Sequence, residues 1–77
     1  MRLRIDHDAA LMMASELRTR DPDSYTLFEW LVWLHQDREF VLPDGAHRNV
    51  PGGDWTGPRY TGARERLIKA GYLERVR

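Results

Sequence analysis

The segment YTLFEWLVWL, residues 25–34, constrains this chain more than any other feature. It is apolar nearly all round at helical spacing, and a helix of that kind predicts burial on more than one side. Asp21-Pro22 ahead of it is a strong start signal: Asp caps the free N–H groups, and Pro suits the first helical position. A central helix is therefore expected from about Pro22 to Gln36. With 77 residues there is room for one domain, and one this short buries only roughly 60–65% of its unfolded surface. The chain has no cysteine, so neither a disulfide nor a thiolate zinc cage can staple it. Aromatic and aliphatic packing must hold it, with three Trp, three Tyr and two Phe available.

The remaining elements follow from local signals. Asp6 is placed to cap a first helix, in which Ala10, Met13, Ala14 and Leu17 share a face up to Arg18–Arg20, whose cations suit the helix end. Phe40–Leu42 is a short extended piece closed by the turn Pro43-Asp44-Gly45. Pro43, Pro51 and Pro58, with Gly45, Gly52, Gly53 and Gly57, mark the following stretch as loop. Val50 and Trp55 are its large apolar residues and are expected to pin it to the core, Trp55 by packing on the first turns of the next helix. That third helix starts at the cap Thr56 and ends at Gly71, a left-handed C-cap with Tyr72 folding back. Tyr60, Ala63, Leu67, Ile68 and Gly71 project to one face; Arg59, Gly62, Glu65, Arg66 and Lys69 project to the other. Arg64 falls near the apolar sector and is expected to pair with an acid of the second helix such as Glu29. Leu73–Val76 is read as a terminal strand paired with Phe40–Leu42.

Charge is sorted along the chain although the total is zero. Residues 1–46 carry five Arg against nine acids (5 − 9 = −4), and residues 47–77 carry seven cations against three acids (7 − 3 = +4). Such asymmetry suggests a basic face for an anionic partner. No chemistry-bearing cluster emerges. Asp6-His7-Asp8 are adjacent and diverge on a helix, His35 and His47 lack zinc-ligand spacing, and Gly52-Gly53 lacks the strand and Lys-Ser or Lys-Thr of a phosphate loop. Ser15 and Ser24 have no associated His at catalytic spacing. An enzyme, a cofactor and a metal site are not expected. The longest apolar run is too short to span a bilayer and the N-terminus lacks a signal-peptide core, so the expected setting is cytoplasmic, with no membrane partner.

The run WTGPRYTGARERLIKAGYLERVR resembles the recognition helix and following strand of winged helix-turn-helix domains, most specifically through Tyr60, Ala63-Arg64, Leu67-Ile68 and Ala70-Gly71-Tyr72-Leu73. The wider stretch from REFVLP to Glu74 is similar to such domains in phage and plasmid replication proteins and primase-associated modules. The resemblance covers residues 24–77. It implies a mostly α, three-helix winged-helix-like domain with a short two-stranded β ribbon, residues 1–20 forming an additional N-terminal helix. The core is expected around Trp30, Leu31, Leu34, Leu67 and Ile68. The helix that normally precedes the recognition helix has at most one turn within residues 43–55. The second wing strand has no counterpart after Arg77, so a wing is either missing or supplied by a second subunit. The implied function is binding of double-stranded DNA in replication or transcription control, with room for a homodimer. Arg59, Arg66 and Lys69 would face the duplex, Thr56 would mark the helix N-terminus, and Arg48, Arg75 and Arg77 would touch phosphates. The alternative is a protein-interaction adapter on the same fold, using exposed apolar side chains such as Met12, Tyr25 or Trp33.

Overall fold

The computed structural model describes residues 2–36, 38–42 and 45–76, apart from the side chains of residues 7 and 9–14. The expected apolar face of the first helix at Ala10, Met13 and Ala14, the adapter contact Met12, the turn at Pro43-Asp44 and the phosphate contact Arg77 lie outside those described residues or side chains. The elements run β1 (Arg2–Ile5), α1 (His7–Arg20), α2 (Pro22–His35), β2 (Phe40–Val41), a 3₁₀ turn (Ala46–Asn49), α3 (Gly57–Ala70) and β3 (Leu73–Arg75). The domain is mostly helical, with three α-helices against one small antiparallel sheet.

Local chemistry sets the helix ends. Asp21 accepts from the Ser24 N–H ahead of α2, with Pro22 in the first turn. Thr56 accepts from the Arg59 N–H ahead of α3. Gly71 closes α3 at φ 90°, a conformation costly for any residue with a Cβ, and the Tyr72 N–H then donates back to the Leu67 carbonyl at 3.0 Å. Tyr72 is thereby folded onto the core, its ring edge-on to Phe28 at 5.2 Å.

The sheet corrects the expected ribbon. Phe40–Leu42 and Leu73–Val76 do not pair with each other; β1 lies between them, in the order β2-β1-β3. Leu3 stands opposite Phe40 on one side and Arg75 on the other. The N-terminal RLRI alternates exposed and buried residues, as a strand with one covered face must. Leu3 and Ile5 enter the core, whereas Arg2 and Arg4 face out. β1 thus completes a three-stranded antiparallel sheet as its central strand.

The core joins Leu3 and Ile5 to Leu27, Phe28 and Leu31 of α2 and to Tyr60, Ala63 and Leu67 of α3, with Val50 and Trp55 holding the loop down as expected. Trp30 and Ile68 are only partly buried at its edge. Leu34 is not a core residue: it is 45% exposed, and Trp33 beside it is 75% exposed. The apolar girth of α2 therefore exceeds what this small domain covers. α1 packs on α2, with Leu17 partly buried against the core.

Candidate nucleic-acid interface

α3 packs on α2 through small groups. Ser24, fully buried, meets the Ala63 carbonyl at 3.5 Å through its hydroxyl, so the two backbones come close here. That closeness brings the outward flank of α3 over the acidic start of α2. Arg59 and Arg66, seven residues apart, share this flank. Arg59 donates through Nε and Nη2 to the two oxygens of Asp23 at 2.9 and 2.6 Å, and its guanidinium lies 4.2 Å over the Trp55 ring. Arg66 donates through Nε and Nη2 to Asp21 at 2.7 and 3.3 Å. Gly62 leaves space for that reach: a Cβ there would stand 3.1 Å from Arg66 Nη1.

These pairs set the acidities. Burial pushes the Asp21 carboxyl up, but hydrogen bonds from Arg66 and Ser24 outweigh it and hold the group below its ordinary value. The Arg59 hydrogen bond does the same for Asp23.

The solvent face of α3 runs through Pro58, Thr61, Glu65 and Lys69, at spacings of three and four. Glu65 receives a guanidinium on each oxygen: Arg64 Nη2 at 3.1 Å and Arg75 Nη2 at 2.9 Å. Arg64 therefore pairs with its own neighbour and not with Glu29 as expected, because its side chain runs along α3 over the Tyr60 ring instead of crossing to α2. Arg4 holds Glu74 at 2.7 Å across the β1–β3 pair.

Of the residues singled out as contacts, α3 and β3 bring Arg59, Arg66, Lys69 and Arg75 around one helix, with Thr56 at its head. Arg48 stands on the 3₁₀ turn, the single turn expected before α3. Arg48 and Lys69 are exposed and make no ion pair with a described residue. The acids Asp21 and Asp23 were not anticipated beside these cations. A clue existed in two acids flanking the Pro22 start signal, opposite two arginines one heptad apart.

Two other features border α3 and α2. A cleft of about 130 Å³ between the 3₁₀ turn and the first turns of α3 is lined by His47, Gly57, Tyr60, Thr61 and Arg64, among others. On the far side of α2, Trp30 and Trp33 flank a shallow apolar hollow with Thr26, Glu29 and Pro51. Tyr25 is half-buried, and the neighbouring Glu29 carboxylate pushes the pKa of its hydroxyl up. Among the described residues there is no group of three or more potential metal ligands, and no helix long and apolar enough to cross a membrane.

No family model, no curated protein and no solved structure matches this chain.

Proposed function

We propose that this domain binds duplex nucleic acid as a winged-helix-type module, in replication or transcription control of the kind served by the phage and plasmid proteins its sequence resembles. The observation that carries the reading is the ring of cations around the exposed face of α3: Arg59, Arg66, Lys69 and Arg75, with Arg48 on the turn before it. A helix with one free face fits the major groove, and guanidinium and ammonium groups on its flanks reach phosphates. The order α2, β2, short turn, α3, β3, with a third strand completing the sheet, supports the same reading. The Arg59–Asp23, Arg66–Asp21 and Arg75–Glu65 pairs are solvent-facing, and exposed ion pairs contribute only about 0–1 kcal/mol each. A phosphate can therefore compete for these arginines.

The test is fluorescence anisotropy with a labelled duplex at several salt concentrations. Binding should weaken linearly in log–log form, and Lys69→Ala should flatten the slope by roughly 0.9 if one phosphate contact is lost. Protein that ignores both duplex and single-stranded DNA at low salt rules the reading out.

A second reading, a protein-interaction adapter, is favoured by Trp33, which is 75% exposed and shares an apolar hollow with Trp30. Large aromatic side chains standing in water are common at the centres of protein interfaces. Early elution from heparin, together with association that is lost in Trp33→Ala, would favour the adapter over the nucleic-acid module.

A further inference from the structure

We propose that the hollow between α2 and Pro51 binds an arginine side chain of a partner protein. The proposal rests on the adapter reading and names the partner's chemistry. Four of the lining residues, Thr26, Glu29, Trp30 and Trp33, come from α2 at spacings of three, one and three, so they share one face of that helix. Pro51 closes this face from the loop before α3, around a hollow of about 330 Å³. Trp30 is fixed by packing against the core, whereas Trp33 stands 75% exposed.

Charge selects the guest. Among the described residues lining the hollow, Glu29 alone carries a charge. It is exposed and makes no ion pair with a described residue. Its carboxylate neighbours the Tyr25 hydroxyl, which leaves most of its lone pairs for a second donor. α2 contains no Lys or Arg to neutralise it from the same helix. A Trp face attracts a cation, and the guanidinium, planar and weakly hydrated, stacks there better than an ammonium.

The domain already contains such a constellation, completed by its own chain. At the start of α2, the Arg59 guanidinium lies 4.2 Å over the Trp55 ring and donates to both oxygens of Asp23. Trp33 and Glu29, one turn apart, repeat the indole and the carboxylate, and the arginine is the component a partner brings. A purely apolar guest would instead cover Glu29 without a counter-ion, which costs free energy.

The experiment titrates isotopically labelled full chain with octa-arginine amide and with octacitrulline amide, which keeps the side-chain length and removes the charge. The indole N–H signals of Trp30 and Trp33 report on the hollow, and the buried Trp55 serves as internal reference. Octa-arginine should shift the first two saturably, and octacitrulline should bind about tenfold more weakly, the combined range of a cation–π contact and an exposed ion pair. Trp33→Ala should abolish the shift at Trp30. Glu29→Gln should weaken octa-arginine about two- to fivefold, whereas Glu16→Gln, at an exposed carboxylate on α1, should leave it unchanged. Circular dichroism confirms that each variant is folded. Equal binding of octacitrulline overturns the arginine assignment, and where Trp33→Ala still abolishes that binding the adapter reading stands. Octa-arginine binding that survives Trp33→Ala removes both. No saturable shift with octa-arginine, or equal losses in Glu16→Gln and Glu29→Gln, also overturns the proposal.

Discussion

Arg66 reaches across from α3 to grip both oxygens of Asp21, the residue that caps α2. One carboxylate thus serves as helix cap, as acceptor for the Ser24 hydroxyl and as counter-ion for the neighbouring helix. Its folded-state acidity is stronger than in the unfolded chain, and so is that of Asp23.

A carboxylate whose folded value is depressed stabilises the fold above its unfolded value and loses that contribution as pH falls through the folded one. Stability should therefore be level near neutrality and decline as pH drops below the ordinary value of 3.8. Both carboxylates are partly exposed, so the loss is modest. Asp21→Asn should lower stability at pH 7 and flatten the acid limb; urea melts across pH 2.5–7 (roughly the range where carboxylates titrate) would show it. An acid limb as steep in the variant as in the wild type would contradict the assignment.

The same two acids oppose a phosphate. Asp21→Asn combined with Asp23→Asn removes two negative charges from the flank of α3 and releases Arg59 and Arg66. Duplex affinity at low salt should rise, and Arg66→Glu should weaken binding to every sequence. If the acid variants bind no better than the wild type, the arginines of this flank are not contacts.

Two tryptophans should behave oppositely. Trp55 is 7% exposed and roofed by Arg59, so Trp55→Ala should cost about 3–5 kcal/mol. Trp33→Ala should change stability by no more than about 0.5 kcal/mol, as exposed positions do. Thermal or denaturant melts of the two variants make the comparison, and a large loss at Trp33 would place it inside a contact absent from the monomer.

Leu3 is fully buried in the central strand, opposite Phe40. Leu3→Ala should cost about 2–5 kcal/mol. A neutral outcome would mean that β2 and β3 hold without β1.

Elements governed by neighbours in the chain were legible. Asp21-Pro22, Thr56 and Gly71 each act within a turn of their own position, and all three set helix ends as read. β1 was not legible, because four residues of alternation are too few to distinguish a strand from a helix lead-in. The partners that make it one lie far away, at Phe40 and at Leu73. The exposure of Trp33 and Leu34 was hidden for a related reason: a helix apolar on all sides looks central until the number of neighbours available to cover it is known. The Arg59–Asp23 and Arg66–Asp21 pairs depend on how α3 crosses α2, which the close Ser24–Ala63 contact fixes and no spacing rule supplies. Arg64 illustrates the limit within one helix, where projection placed it correctly near the apolar sector but left its partner open.

Because β1 runs antiparallel to β3, Arg2 and Val76 are hydrogen-bonded neighbours at one end of the ladder, while the Asp6 N–H donates to the Tyr72 carbonyl at the other, beyond Ile5 and Leu73. Tension applied through Arg2 and Val76 would therefore act on this ladder like a zip, loading its pairs in turn and never shearing all of them together. Peeling β1 away also withdraws Leu3 and Ile5 from the core and strips β2 of its partner. Force applied through residues 2 and 76 would thus open the fold at its topological centre, the strand that both neighbours depend on.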